Sequence, residues 1–183
     1  MMLRLYSQRV VLAGAIVALG ACSSSLAPPP EAVPEPTVPT HSTLAGAHAN
    51  LASASGSLVS GRITLVPRAE GGVRATGTLG GLPPGLTHGL HVHARGDCSA
   101  VDAASAGARF DPFERRRDID NIGADAEGVA RVDVVLPEVT LGGGAVNDIL
   151  GRALVVRVTT DASTRLATGL TAVRVACGVI ASE

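Results

Sequence analysis

The sequence contains no lysine and no excess of charge of either sign. Its 15 basic residues are all arginines, and they stand against 16 acidic residues, which leaves a formal net charge of −1 at pH 7. Proteins that bind the phosphate backbone of nucleic acids carry a basic patch or stripe. The slightly acidic balance without such a stripe argues against a nucleic-acid partner.

A long hydrophobic run is also lacking. The apolar segment at residues 10–21 is shorter than the roughly 20 apolar residues that a membrane-spanning helix needs. With Arg4 and Arg9 before it, this segment has the length and the basic flank of a secretory signal peptide. We therefore predict that residues 1–21 are a signal peptide.

The end of this segment, Leu19-Gly20-Ala21-Cys22, resembles a bacterial lipobox. The resemblance implies that Cys22 becomes the first mature residue and carries a lipid on its sulfur, which anchors a protein to a membrane without spanning it. We then expect a protein of the bacterial cell envelope, exported and lipid-anchored, on the periplasmic or the outer surface. The alternative is an ordinary signal peptide followed by an unpaired thiol.

Residues 22–43 are rich in proline and almost free of bulky side chains. Such a composition favours extended polyproline II and cannot build a hydrophobic core. We predict a tether over residues 22–43 and a single globular domain over residues 44–183.

The domain shows a period-two alternation of apolar and polar residues and no long run of helical period. Ile63 and Leu65 alternate with polar neighbours in the run RITLV, and similar runs occupy residues 73–79, 130–137, 153–160 and 173–180. Turn-forming stretches separate these runs, at residues 69–72, 80–86, 124–128 and 141–144. Short strands at this spacing predict an all-β fold, an antiparallel sandwich or barrel.

Two cysteines, Cys98 and Cys177, lie within the predicted domain. Exported proteins fold in an oxidising compartment, which favours a disulfide between them. The alternative is a pair of buried free thiols.

Three of the five histidines lie in the run THGLHVH at residues 87–93. If this run is a strand, its side chains alternate between two faces. His91 and His93 then share an outward face and could converge on one metal ion. His88 would face the core, where hydrogen bonds from its ring would tie loops together.

The histidine run and the end of the chain resemble the signature motifs of the Cu,Zn superoxide dismutase family. The matches arrive in family order over residues 47–180, and they include Gly85-Leu86-Thr87-His88-Gly89-Leu90-His91-Val92-His93, Gly96-Asp97-Cys98-Ser99, Asn121-Ile122-Gly123-Ala124-Asp125 and Arg174-Val175-Ala176-Cys177-Gly178. The resemblance implies an eight-stranded antiparallel Greek-key β-barrel with a Cys98–Cys177 disulfide. It also implies that His91 and His93 are copper ligands and that Arg174 guides superoxide towards copper.

The remaining ligand positions depart from the family pattern. The family binds copper with four histidines, one of which bridges to zinc, and it binds zinc with further histidines and an aspartate. Here Arg109 stands at the position of the bridging histidine and Arg157 at that of the last copper histidine. Asp118 aligns with the zinc aspartate in a shortened loop, and no histidine follows His93. We expect weak or partial copper binding and do not expect zinc.

These departures lead to three hypotheses of function. In the first, the chain is a dismutase-like envelope protein and is not an efficient enzyme. In the second, it is an active copper-only superoxide dismutase. In the third, it is a module for copper binding and delivery. No apolar interface patch is recognisable from which an oligomer could be predicted. His41 and His48, near the start of the domain, are weak evidence for a further metal site.

The arginines at the former ligand positions allow two interpretations. Arg109, Arg157 and Arg174 could together form an anion pocket. Alternatively, Asp111 and Asp118 could neutralise them in ion pairs that replace the metals as the link between loops.

The substitution Cys22→Ser is expected to abolish lipid attachment, because the lipid would be carried on the cysteine sulfur. Incorporation of a labelled fatty acid and recovery in the membrane fraction of a bacterial host would measure this. A Cys98→Ser variant should keep the label and serves as the matched control. Undiminished labelling of the Cys22→Ser variant would contradict the lipobox interpretation.

Overall fold

The computed structural model describes residues 38–114, 121–159 and 172–183. They form eight β-strands and one short 3₁₀ turn at Ala104–Ala106. The strands are β1 (Ala47–Ser53), β2 (Ser60–Pro67), β3 (Val73–Gly80), β4 (Thr87–His93), β5 (Asn121–Gly123), β6 (Ala130–Leu136), β7 (Ala153–Thr159) and β8 (Ala172–Ser182). The predicted all-β fold is confirmed.

Several predictions fall on other parts of the chain. The signal peptide at residues 1–21, the lipidated Cys22, most of the tether at residues 22–43, and Asp118 lie outside the described residues. Within the three described ranges, no helix is long and apolar enough to cross a membrane.

The strands form one antiparallel sheet in the order β5-β4-β7-β8-β1-β2-β3-β6. The two end strands, β5 and β6, also contact each other, so that the sheet nearly closes into a barrel. Because β3 pairs with β6 and β4 pairs with β7, the chain crosses between strands that are distant in sequence. This connectivity confirms the eight-stranded antiparallel barrel.

The alternation of side chains explains which face of each strand is buried. On β2, Ile63 and Leu65 are fully buried, whereas Arg62 is exposed. On β4, Leu90 and Val92 point into the same core. Strand β5 was not predicted, because it has only three residues and a single buried side chain, Ile122, which gives no alternation to detect.

A disulfide joins Cys98 to Cys177 and confirms the predicted pairing. It fastens the loop at residues 94–110, which follows β4, to the middle of β8. Small buried side chains surround it, which lets this loop lie close to the barrel wall: Ala54, Ala103, Ala106, Ala153 and Val155.

Removing the disulfide with the double substitution Cys98→Ala and Cys177→Ala is expected to lower the free energy of unfolding. The bond closes a loop with a sequence separation of 79 residues, for which the chain-entropy model gives about 4 kcal/mol. Urea unfolding of both proteins would measure the loss. A midpoint unchanged by the substitutions would contradict the expectation.

Candidate functional site

Strand β4 carries both predicted copper ligands on one face. His91 lies opposite Val155 of β7, and His93 lies opposite Ala153. The two differ in burial, since the side chain of His91 is half-buried whereas His93 is only 1% exposed. Both histidines lie on the face of β4 opposite Leu90 and Val92, as the alternation predicts. His93 is nevertheless buried, because the loop at residues 94–110 returns over it: Arg109 forms a β-bridge with His93, and the Gly107 carbonyl contacts its ring.

The His93 ring is held by a hydrogen bond to the loop. Its Nδ1 lies 2.9 Å from the carbonyl oxygen of Gly107, and because a carbonyl can only accept, Nδ1 donates. In the neutral ring the proton is then on Nδ1, and Nε2 carries the free lone pair. Nε2 is buried and makes no hydrogen bond.

Burial lowers the pKa of His93 below its ordinary value. The hydrogen bond to Gly107 opposes this shift, and the positive charges of Arg174, Arg157 and Arg109 add to it. A fourth positive charge next to three guanidinium groups is unfavourable, so the ring is neutral around neutral pH.

The Arg109 side chain occupies the space beside His91. Its Nη2 lies 3.2 Å from His91 Nε2 and closer still to His91 Nδ1. On the other side, the His91 ring lies over Gly89, where an added Cβ would be 2.5 Å from Nε2. A glycine is therefore needed at residue 89 for the ring to take this position.

Arg157 and Arg174 face each other across β7 and β8, at a β-bulge between Val156 and Arg157. The guanidinium of Arg174 donates to two loop carbonyls, to Ala103 at 2.8 Å and to Gly107 at 3.0 Å. Arg157 differs, because its Nε is buried and makes no hydrogen bond. Burial, together with the charges of Arg174 and Arg109, lowers the pKa of Arg157.

We call Arg109, Arg157 and Arg174 the arginine cluster. Two ion pairs of the described residues, Arg68–Glu70 and Arg74–Asp133, lie elsewhere on the barrel. The ion pairs predicted between the cluster and Asp111 or Asp118 stay a prediction, and Asp118 lies outside the described residues.

His88 lies apart from the cluster, on the opposite face of β4. The side chain is fully buried, and its Nε2 is 3.0 Å from the carbonyl oxygen of Pro83. The ring thus links the strand to the turn that precedes it. His48, on β1, lies opposite Thr64 and Ala181, on strands that are separate from β4 in the sheet order.

Sequence reasoning missed three backbone contributors to this site. The Gly107 carbonyl accepts from both His93 and Arg174, the Ala103 carbonyl accepts from Arg174, and Gly89 leaves room for His91. A carbonyl has the same chemistry at every residue, so the sequence carries no signal for the first two. Gly89 sits within the histidine run, and a glycine in a strand does mark a close approach.

The donor set of the described residues does not fit the four-histidine copper site implied by the sequence motifs. A guanidinium has no free lone pair and stays protonated, so Arg109 and Arg157 cannot ligate a metal. Two imidazoles remain, on His91 and His93. Across the three described ranges, no group of three or more histidine, cysteine, aspartate or glutamate side chains is placed to hold a metal ion.

Comparison with known proteins gives consistent matches. Residues 59–180 match the family Copper/zinc superoxide dismutase (SODC). The chain is 36% identical over 139 residues to the copper-zinc superoxide dismutase 2 of Brassica juncea, which covers 67% of this chain and 89% of that protein. The crystal structure of the clock protein EA4 is similar with a TM-score of 0.60 and 31% identity, covering 78% of this chain and 98% of the other.

The lowered pKa of His93 makes stability depend on pH. A histidine whose pKa is lower in the folded state binds fewer protons there than in the unfolded chain. The neutral ring therefore contributes its full stability above the histidine pKa of the unfolded chain, which is about 6.5. This contribution is lost as pH falls towards the lower pKa of the folded protein. His93→Asn cannot titrate but keeps a donor for the Gly107 carbonyl. It is expected to reduce the slope of unfolding free energy below about pH 6.5 by up to about 1.4 kcal/mol per pH unit.

Urea unfolding at a series of pH values in the presence of a chelator would measure this slope. His41→Asn, at an exposed position before β1, controls for the removal of a histidine. A His93→Asn slope equal to that of the unsubstituted protein would contradict the assignment.

Proposed function

The chain belongs to the copper/zinc superoxide dismutase family, and from this premise we propose that it is a dismutase-like envelope lipoprotein with an incomplete copper position and inefficient dismutation. The observation that carries the proposal is the arginine cluster. Arg109 lies against His91, and the positive charge of Arg157 is close enough to His93 to act on its pKa. These are the two positions at which the family motif has its other copper histidines.

Dismutation requires a copper ion that cycles between two oxidation states. Oxidised copper prefers square-planar or tetragonal nitrogen ligands, and His91 with His93 supplies two. The guanidinium groups of Arg109 and Arg157 add positive charge beside these two nitrogens, which disfavours a divalent cation. Arg174 would attract an anion, but attraction without a redox centre is not catalysis. Zinc is not expected, because zinc sites in proteins take three or four protein ligands.

A second candidate is copper binding for delivery or storage. It is favoured by the Nε2 of His93, which is buried, without a hydrogen bond and unprotonated in the neutral ring. Such a nitrogen is a ready ligand for a cation, with further donors coming from a partner protein. A third candidate, an active copper-only dismutase, would use the same two histidines.

We also propose that the protein is exported and held on the bacterial envelope by a lipid on Cys22. Support comes from the signal-like residues 10–21, the lipobox-like end at Cys22 and the proline-rich residues 22–43. The tether would hold the domain away from the bilayer. The described Cys98–Cys177 disulfide is in keeping with an oxidising compartment.

Reconstitution of the purified full chain with copper and zinc tests the proposal. After dialysis, mass spectrometry is expected to find less than one copper per chain and no zinc, and a superoxide assay to give the rate of the blank. Stoichiometric copper with fast turnover that disappears in His91→Ala and His93→Ala would establish the copper-only enzyme instead. Tight Cu⁺ binding without turnover, lost in the double alanine variant, would establish the delivery module.

The double substitution Arg109→His and Arg157→His forms the complementary arm of this experiment. It returns two imidazole ligands and removes two positive charges, so copper retained after dialysis should rise towards one per chain. Arg131→His, at an exposed position of β6, is the matched control and should leave the copper content unchanged. No gain in the double variant would show that the arginines do not limit copper binding.

A further inference from the structure

We propose that the outer face of β2, β3 and β6 rests on anionic phospholipid headgroups and thereby turns the candidate site away from the membrane. We call this surface the basic face, and we define it by Arg62, Thr78 and Arg131. The inference rests on the proposed function in one respect only, that the chain is held at a membrane through Cys22. It concerns a different side of the barrel from the arginine cluster.

Three neighbouring strands bring the basic face together in one row. Arg62 of β2 lies directly opposite Thr78 of β3, and Thr78 lies opposite Arg131 of β6. Directly opposed residues project to the same side. All three side chains are exposed, whereas Ile63 and Val132, the next residues along their strands, are buried. Because neighbouring strands lie about 4.8 Å apart, the two arginines are about 10 Å from each other along the row, with a hydroxyl between them.

The basic face carries a positive charge that the chain as a whole lacks. Its three strands contain three arginines and one aspartate, whereas the formal net charge of the whole chain is −1. Arg74 pairs with Asp133 through two hydrogen bonds, of 2.7 and 2.6 Å. Over the ranges that the structure describes, neither Arg62 nor Arg131 takes part in an ion pair. Two exposed guanidinium groups therefore remain, and their geometry suits phosphate oxygens.

The chain enters the domain at one end of this same face, where β2 and β6 end and β3 begins. A Cβ added to Gly71, in the turn between β2 and β3, would lie 3.4 Å from the Cβ of Thr40. The buried Asn147 donates from Nδ2 to the carbonyl oxygens of Pro39 and Glu138, both at 2.7 Å. The start of the domain is therefore fixed between the β2–β3 turn and the residues that follow β6.

An anchor on Cys22 would keep the basic face within reach of the headgroups. Residues 22–38 span at most about 55 Å even when fully extended. A contact made by a tethered molecule acts at an effective concentration of about millimolar order. Each basic residue near an anionic leaflet contributes modestly. Two arginines are therefore enough for a tethered domain, although they would not hold a free protein.

The strand order decides what this contact does to the candidate site. In the order of eight strands β7 stands four places from β3, and because the sheet nearly closes, the two lie on opposite sides of the barrel. With the basic face on the headgroups, the site on β4, β7 and β8 faces the aqueous phase. A second copy of the chain suits this face less well, because a two-fold dimer would bring the same positive charges against each other.

NMR spectroscopy of the full chain anchored in nanodiscs tests the proposal. The anchor is the lipid on Cys22 or, if the chain carries none, a maleimide lipid coupled to that thiol, since Cys98 and Cys177 are joined in the disulfide. The nanodiscs contain phosphatidylcholine alone or with about one third phosphatidylglycerol, and a trace of gadolinium-chelating lipid that broadens nearby amide signals. In the anionic nanodiscs we expect broadening at Thr78 but not at Val155 of β7, and we expect added salt to reduce it.

Two single substitutions on the basic face give the quantitative arm. Arg62→Gln and Arg131→Gln are each expected to lower the ratio of contacting to free barrels about fivefold, the effect of one basic residue at an anionic surface. Arg95→Gln is the matched control for the loss of one positive charge, because Arg95 is exposed in the loop that follows β4. It should leave the broadening at Thr78 unchanged, and circular dichroism should show that every variant is folded.

The proposal is overturned if Thr78 and Val155 broaden equally in the anionic nanodiscs, or if Arg62→Gln and Arg95→Gln have equal effects. It is also overturned if the Thr78 signal shifts with protein concentration in the absence of lipid, because a second copy then covers the face. Absence of a natural lipid on Cys22 would contradict the proposed envelope anchor alone. The coupled lipid would still present the basic face to the membrane, and the broadening would still decide the contact.

Discussion

The Cys98–Cys177 disulfide is the constraint on which the site depends. It fastens the loop at residues 94–110 to β8, and this loop supplies the Ala103 and Gly107 carbonyls that orient Arg174 and His93. Without the loop, His93 would be a solvent-facing residue of a strand with an ordinary pKa. With the loop in place, the ring is buried and neutral. The disulfide thus fastens the same loop whose Gly107 carbonyl holds the His93 ring.

The substitution of arginine for histidine inverts the charge of the ligand that a site attracts. A neutral imidazole offers a lone pair to a cation, whereas a guanidinium offers N–H donors to an anion and stays charged. Arg109 and Arg157 stand where the family motif has histidines, and Arg174 adds a third positive charge. The eight-stranded barrel is that of the copper/zinc superoxide dismutase family. In the function proposed above, the chemistry of the site has changed from donating electron pairs to donating hydrogen bonds.

Much of the barrel could be predicted from local patterns. The alternation in residues 62–66 and 73–79 predicted β2 and β3, because one side chain in two must be apolar where one face of a strand is buried. Strand β5 escaped prediction because three residues cannot show an alternation. The identity of the site residues was also readable, since Arg109 and Arg157 interrupt motifs that are otherwise recognisable. Their geometry was not, because each reaches the site from a different element.

The sequence by itself determined the fold class, the pairing of the cysteines and the chemical identity of every side chain at the site. Only the tertiary structure decided that His93 is buried, that its Nδ1 donates to Gly107 and that Arg157 keeps a buried donor without a hydrogen bond. The physical reason is that strand alternation is a local property, repeated every two residues. Burial and hydrogen bonding at this site depend on residues 103–110, which return over β4. No local sequence pattern encodes the position that a backbone carbonyl of this loop takes in the folded protein.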